Sequence, residues 1–284
     1  MITGVRAGTS TVRATSVCRP NIWREVRITV VNPPPPPPPR QSGSEPGISG
    51  ELLWISASWA LNNVQSQQPV TSHSRVPNPI PRTTDISRRG FILRHPIISS
   101  EIGSVVEGRG NTNISTNSVR FSNAFGFNNN PACGSEVNAL RHVIWMAIIA
   151  NRYGMHIATL AGNSHEDRPN MLEGMTMPQI LAKSFRTRGE AKDAADLLNN
   201  FIGRSIGSQS PSGSSQRYLV ERSLRTFRDQ GFFVVERRGG AYQLVIRRIS
   251  STRFTQSINI LRTLDANGFP PGNQFHNTSD RYRY

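Results

Sequence analysis

The chain has 284 residues with 33 basic and 18 acidic side chains, a net charge of +15, and all of the basic residues except Lys183 and Lys192 are arginine. That length holds one large or two smaller domains, and two cysteines, Cys18 and Cys133, exclude a disulfide framework and a multi-cysteine metal site. The charge admits a polyanionic partner such as nucleic acid, a phosphate-rich glycan or an anionic lipid surface, yet residues 131–203 hold 7 basic and 7 acidic groups, so the excess lies in the flanks, 13 against 6 before and 13 against 5 after.

Residues 1–32 alternate as β-strands do: Thr9, Thr11, Arg13 and Thr15 share one side, Val12 and Ala14 the other, and V-R-I-T-V-V follows after a loop. The opening shows no charged region followed by an apolar run, so no secretory signal is read. The longest apolar cluster, near residues 52–61, is too short and interrupted to span a membrane. Seven consecutive prolines at 33–39 open a stiff polyproline linker over 33–46. A mainly α domain is expected over 47–284, with a C-terminal β-hairpin. Residues 50–63 suit a helix with Trp59 beside Leu52 and Ile55. Residues 69–96 carry five prolines and read as irregular, with His73 and His95 as loop histidines.

The centre of the chain is where polar chemistry is written. Over 136–153 a helix is predicted whose one face carries Asn138, Arg141, His142, Trp145 and Ile149. Its remaining positions, Leu140, Val143, Ile144, Ala147 and Ile148, make it apolar nearly all round, as buried helices are. The polar residues must then travel inside, where an unsatisfied neutral group costs roughly 1–3 kcal/mol and a charge more. Partners are offered by a second helix over 155–166, ending in Asn163, His165 and Glu166, and by a third. There Asp196, Asn199, Asn200 and Gly203 stand at i, i+3, i+4 and i+7. The three helices are expected to form one polar-centred core.

Downstream, a helix over 216–230 is capped by Ser214 or Ser215, with Glu221/Arg225 and Arg225/Asp229 pairs on its solvated face. A hairpin turns at Gly239-Gly240, its rim basic with Arg237, Arg238, Arg247 and Arg248, and a last helix covers 252–267. Charge on such a rim suits nucleic acid or simply guards a strand edge.

The central residues support three chemistries. In a catalytic one, His142 is the general base, Glu166 or Asp196 its orienting carboxylate and Arg141 the clamp for an anionic substrate, as a hydrolase or transferase acting on a phosphodiester, phospholipid or glycan requires. A metal variant joins His142, His165 and Glu166, without the H-E-x-x-H spacing that would make it specific. In the third, Arg141 pairs with Glu166 or Asp196, His142 donates to a carbonyl, and the network only fixes packing. A catalytic centre opens onto a cleft, whereas a packing network is sealed. Cofactor, substrate and oligomeric state are not written in these residues.

Two resemblances add to this. The segment G-V-R-A-G-T-S-T-V-R-A-T-S followed by R-I-T-V resembles the last strands of a bacterial group 2 immunoglobulin-like repeat. Over residues 95–268, the order N-A-L-R-H-V-I-W, then H-E, then D-L-L-N-N-F-I-G-R resembles an uncharacterised bacterial domain family of surface and Rhs or polymorphic-toxin-like proteins. That resemblance implies a helical fold and importance for Asn138, Arg141, His142, His165, Glu166, Asp196, Asn199, Asn200 and Arg204. It supplies no reaction. The expectation is a secreted or surface-displayed effector module with an immunity protein as a partner, or else a non-catalytic adhesion module.

Overall fold

The computed structural model describes residues 8–15, 23–30, 75–83, 86–106, 108, 110–128 and 135–279. The polyproline linker, the helix expected over 50–63, His73, both cysteines and the boundary expected at 46/47 lie outside them. The chain divides into two compact units, Ile2–Pro69 and Val70–Tyr284. In the first, β1 (Gly8–Thr15) and β2 (Trp23–Val30) pair antiparallel, Gly8 opposite Val30 and Thr15 opposite Trp23.

The second unit is mainly α. Its helices are α1 (Arg88–Arg94), α2 (Pro96–Ile102), α3 (Ile114–Ala124), α4 (Glu136–His165), α5 (Met177–Ala182), α6 (Arg188–Ser208), α7 (Gln216–Asp229) and α8 (Ser251–Thr263). The hairpin β3 (Phe232–Arg238) with β4 (Ala241–Arg247) stands between α7 and α8 and turns at Gly239-Gly240 as expected. Residues 69–96 are not irregular throughout, because α1 lies within them. Pro96 occupies the first turn of α2, where a missing N–H costs nothing. The last helix stops at Thr263, short of the expected 267.

Local chemistry sets the helix starts. Asn113, Ser135, Thr187, Ser215 and Ser250 each accept a backbone N–H of the first turn of α3, α4, α6, α7 and α8 respectively. Thr187 and Glu190 form a reciprocal capping box. On α7 the Glu221/Arg225 pair forms at 2.6 Å, but Asp229 pairs with Arg228 instead of Arg225.

The core is built on the crossing of α4 and α6, with α3 and α7 against α4 and the hairpin against α6. Gly203 and Gly207 lie where a side chain would strike the carbonyl oxygens of Val143 and Ala147, so the two backbones touch directly. Gly154, at φ 84° and ψ 166°, breaks the helical path of α4 and re-aims its second half. Phe227 stacks on Phe232 at 4.4 Å with Phe127 edge-on, closing the core under the hairpin. Tyr242 of β4 exchanges two backbone bonds with Phe185, so the hairpin edge is partly covered by protein. Its arginine rim is partly neutralised, since Arg238 and Arg247 both pair with Glu236.

Asn199 is the tie between α6 and the hairpin. Its amide donates to the Phe233 carbonyl at 2.8 Å and accepts the Phe233 N–H at 3.0 Å, with no solvent exposure. Asn199→Ala removes both bonds, and equilibrium denaturation is expected to show a loss of about 2 kcal/mol. Unchanged stability would mean that the hairpin is held by its apolar side chains alone.

Candidate functional site

Three segments converge as anticipated. α4 brings Asn138, Arg141, His142 and Trp145, the residue capping the C-terminus of α4 is Glu166, and α6 brings Lys192, Asp196, Asn199 and Asn200. His142 Nδ1 faces Asn200 Oδ1 at 3.1 Å and stands 3.9 Å from Glu166 Oε1. On the other side of the ring, Nε2 lies 3.2 Å from Asp196 Oδ2 and 3.3 Å from an Arg141 nitrogen. Asn138 donates to Asp196 Oδ1 at 2.6 Å and accepts from Arg141. Asn200 donates to Glu166 at 3.4 Å, so one amide bridges histidine and glutamate.

Lys192 was not anticipated. Its ammonium lies 2.9 Å from Asp196 Oδ2, four residues along the same helix. One of two lysines in the chain, placed one turn before a buried aspartate, was the signal available in the sequence. Arg141 was expected to pair with Glu166 or Asp196; it bonds Asn138 and His142 instead, and Lys192 serves the aspartate.

The centre is sealed but shallow. His142 and the Glu166 side chain are 2 % exposed and Asp196 is fully buried, while Asn138, Arg141 and Lys192 reach partly into solvent above them. His165 does not join the contact set. It meets solvent, with its ring centroid 6.2 Å from that of His142 and 5.1 Å from that of Trp145. Trp145 is itself tied to α3, its indole N–H donating to Ser115 Oγ at 3.1 Å. Among the described residues, the group of donors that converges is not the alternative metal set of His142, His165 and Glu166 but His142, Glu166 and Asp196, with ligand atoms within 4.8 Å of one another. The Lys192 ammonium already supplies a cation to that aspartate.

Arg204 lies inside α6 and is 4 % exposed, not at the helix end where it would complement the dipole. Its guanidinium lies over the Phe201 ring at 4.3 Å. Burial lowers its pKa to about 10, which leaves it charged at neutral pH.

The environment pushes neighbouring groups apart in proton affinity. Burial, and then the charges of Arg141 and Lys192 against the pull of Asp196, lower His142 to about 4. Burial and the adjacent Asp196 charge raise Glu166 well above the carboxylate range. Burial opposes ionisation of Asp196 as well, but His142, Lys192 and Arg141 outweigh it and hold its pKa low. The centre thus holds a neutral imidazole and an ionised aspartate beside an ammonium, with a glutamic acid biased towards its protonated form.

This sets a pH dependence. His142 titrates near 6.5 when unfolded and near 4 when folded, so between these values the unfolded chain binds the extra proton. Its contribution is fully present above pH 6.5 and is lost as pH falls towards 4, by about 3 kcal/mol. Glu166 has the opposite sign: its folded pKa is raised, so stability falls as pH rises through the range between its unfolded and folded values. Denaturation curves against pH are expected to flatten on the acid side in His142→Gln and on the alkaline side in Glu166→Gln. Wild-type slopes in both variants would show that these groups titrate normally.

The family described as a domain of unknown function (DUF6973) matches residues 111–230, from just before α3 to the residue that caps α7. The matched segment contains His142, Glu166, Asp196, Asn199, Asn200 and Arg204. No curated protein and no solved structure matches the chain. Among the described residues no helix is long and apolar enough to cross a membrane.

Proposed function

We propose that the α domain is a secreted or surface-displayed bacterial effector of the polymorphic-toxin kind, with a metal-free hydrolytic centre at His142 that acts on an anionic substrate. The β1–β2 segment is taken as the end of an immunoglobulin-like repeat that displays it. The observation that carries this reading is the buried His142 held between Asp196 and Glu166, at 3.2 and 3.9 Å, with the proton affinity of the aspartate lowered and that of the glutamate raised. Carboxyl groups pushed apart in proton affinity around one imidazole are an arrangement acid–base catalysis uses.

The chemistry follows from the atoms. With the ring proton assigned to Nδ1, which faces Asn200 Oδ1, Nε2 is the basic nitrogen on the Arg141 side. There it takes a proton from the attacking water or hydroxyl, and Asp196, kept ionised by Lys192, stabilises the imidazolium. Arg141, the partly exposed roof, holds the anionic group of the substrate. Glu166 and Asn200 position the ring from beneath. An immunity protein is the partner such an effector needs.

A second reading is favoured by the seal over His142: the network fixes the α4–α6 packing of a surface module and catalyses nothing. One experiment separates the two. The full chain and His142→Gln are produced in the bacterial cytoplasm and, separately, directed to the periplasm. The purified proteins are assayed on a nitrophenyl phosphodiester, a nitrophenyl acyl ester and phospholipid vesicles. Growth arrest or hydrolysis that falls at least about a hundredfold in a variant with a native circular dichroism spectrum supports catalysis. Equal growth and no turnover by a folded wild type overturn it.

A further inference from the structure

The corner between α1 and α2 exposes more apolar surface than its surroundings explain. Of the six large apolar residues exposed among the described residues, four fall in residues 92–105: Ile92 at 46 %, Leu93 at 71 %, Ile97 at 75 % and Val105 at 46 %. Three of them lie within six residues of one another across the helix junction at His95. Scattered exposed apolar residues need no explanation, but a cluster does.

Among the described residues, the charges on α1 are of one sign. Arg88, Arg89 and Arg94 are all exposed on α1, which carries no carboxylate. Among the described residues, Arg88 reaches the Ser104 hydroxyl at 3.5 Å. The one carboxylate on α2, Glu101, is engaged by Arg152 at 3.2 Å and by the Tyr153 hydroxyl. The corner is anchored from behind by Phe91, which is buried where α1 packs on α4. Large apolar side chains projecting from a basic helical edge match the headgroup and acyl boundary of an anionic bilayer. A soluble polyanion would use the arginines but leave Leu93 and Ile97 in water.

We infer that the α1–α2 corner is a membrane-surface anchor, in which Ile92, Leu93 and Ile97 enter an anionic lipid interface while Arg88, Arg89 and Arg94 pair with its phosphates. This goes beyond the function proposed above and stands without it, since it concerns binding and not turnover.

The test is co-sedimentation of the full chain with vesicles of phosphatidylcholine alone and of phosphatidylcholine mixed with phosphatidylglycerol. Binding is expected to the mixed vesicles, weakened by added salt and not competed by inorganic phosphate at equal ionic strength. Leu93→Asp and Ile97→Asp should each weaken it about tenfold or more, and Arg88→Gln, Arg89→Gln and Arg94→Gln about fivefold each. Because all five side chains are exposed, the variants should keep the wild-type melting curve. Failure to bind mixed vesicles overturns the inference, as does equal binding by the aspartate variants. So does a wild-type dimer that these variants split in the absence of any vesicle binding, which would make the corner an interface between copies.

Discussion

Replacing Asp196 by alanine is expected to lower the unfolding free energy by about 3–5 kcal/mol, the range for removing one partner from a buried charged network. This carboxylate is the acceptor for Asn138 and the counter-charge of Lys192, and it stands 3.2 Å from His142 Nε2. Without it the half-buried ammonium loses its counter-charge, and the Asn138 amide loses its bond. Asp196→Asn keeps an acceptor for Asn138 and removes only the charge, so it should recover part of the loss. Urea denaturation near neutral pH measures both. A loss below about 1 kcal/mol for alanine would mean that solvent reaches the carboxylate and that the centre is not closed.

Gly207→Ala, and likewise Gly203→Ala, is expected to destabilise by about 3 kcal/mol or more, at or beyond the top of the usual range for overpacking. Alanine in a helix interior would ordinarily stabilise by about 1 kcal/mol relative to glycine, so the sign alone is diagnostic. At these positions the added methyl meets backbone, the carbonyls of Ala147 and Val143, which cannot rotate away as a side chain can. The helices must separate, and the distances between His142 on α4 and both Asp196 and Asn200 on α6 lengthen with them. Thermal melts give the stability change, and the imidazole proton resonances of His142 report whether the ring has moved. A neutral or stabilising alanine would show that the two backbones do not touch.

What could be read from residue order follows from which contacts are local. The α4 segment is apolar on nearly every side, so its burial, and that of His142 with it, was legible. The stripe of Asp196, Asn199 and Asn200 was legible for the same reason. Which nitrogen of His142 meets Asp196, and which meets Asn200 and Glu166, was not. Pairing between helices depends on how far each is rotated at the crossing, and that is set by Gly203 and Gly207. His165 was expected inside with Glu166; successive residues at a helix end point about 100° apart, so the turn that buries Glu166 leaves His165 in solvent. Helix α3 escaped notice because Thr116, Asn117, Ser118 and Ser122 read as solvated and are buried. Ser118 and Ser122 turn their hydroxyls back to carbonyls of their own helix. The prolines of residues 69–96 hid α1 by suggesting a loop, although the last of them begins a helix.

Asn199 and Asn200 are consecutive, yet they look in different directions: the first grips the backbone of β3 and the second grips His142 and Glu166. No loop lies between these two grips to absorb movement. A tug on the hairpin, whether from a bound molecule or from mechanical load, therefore arrives at the imidazole undiluted after a single peptide unit. The hairpin is a handle on the histidine.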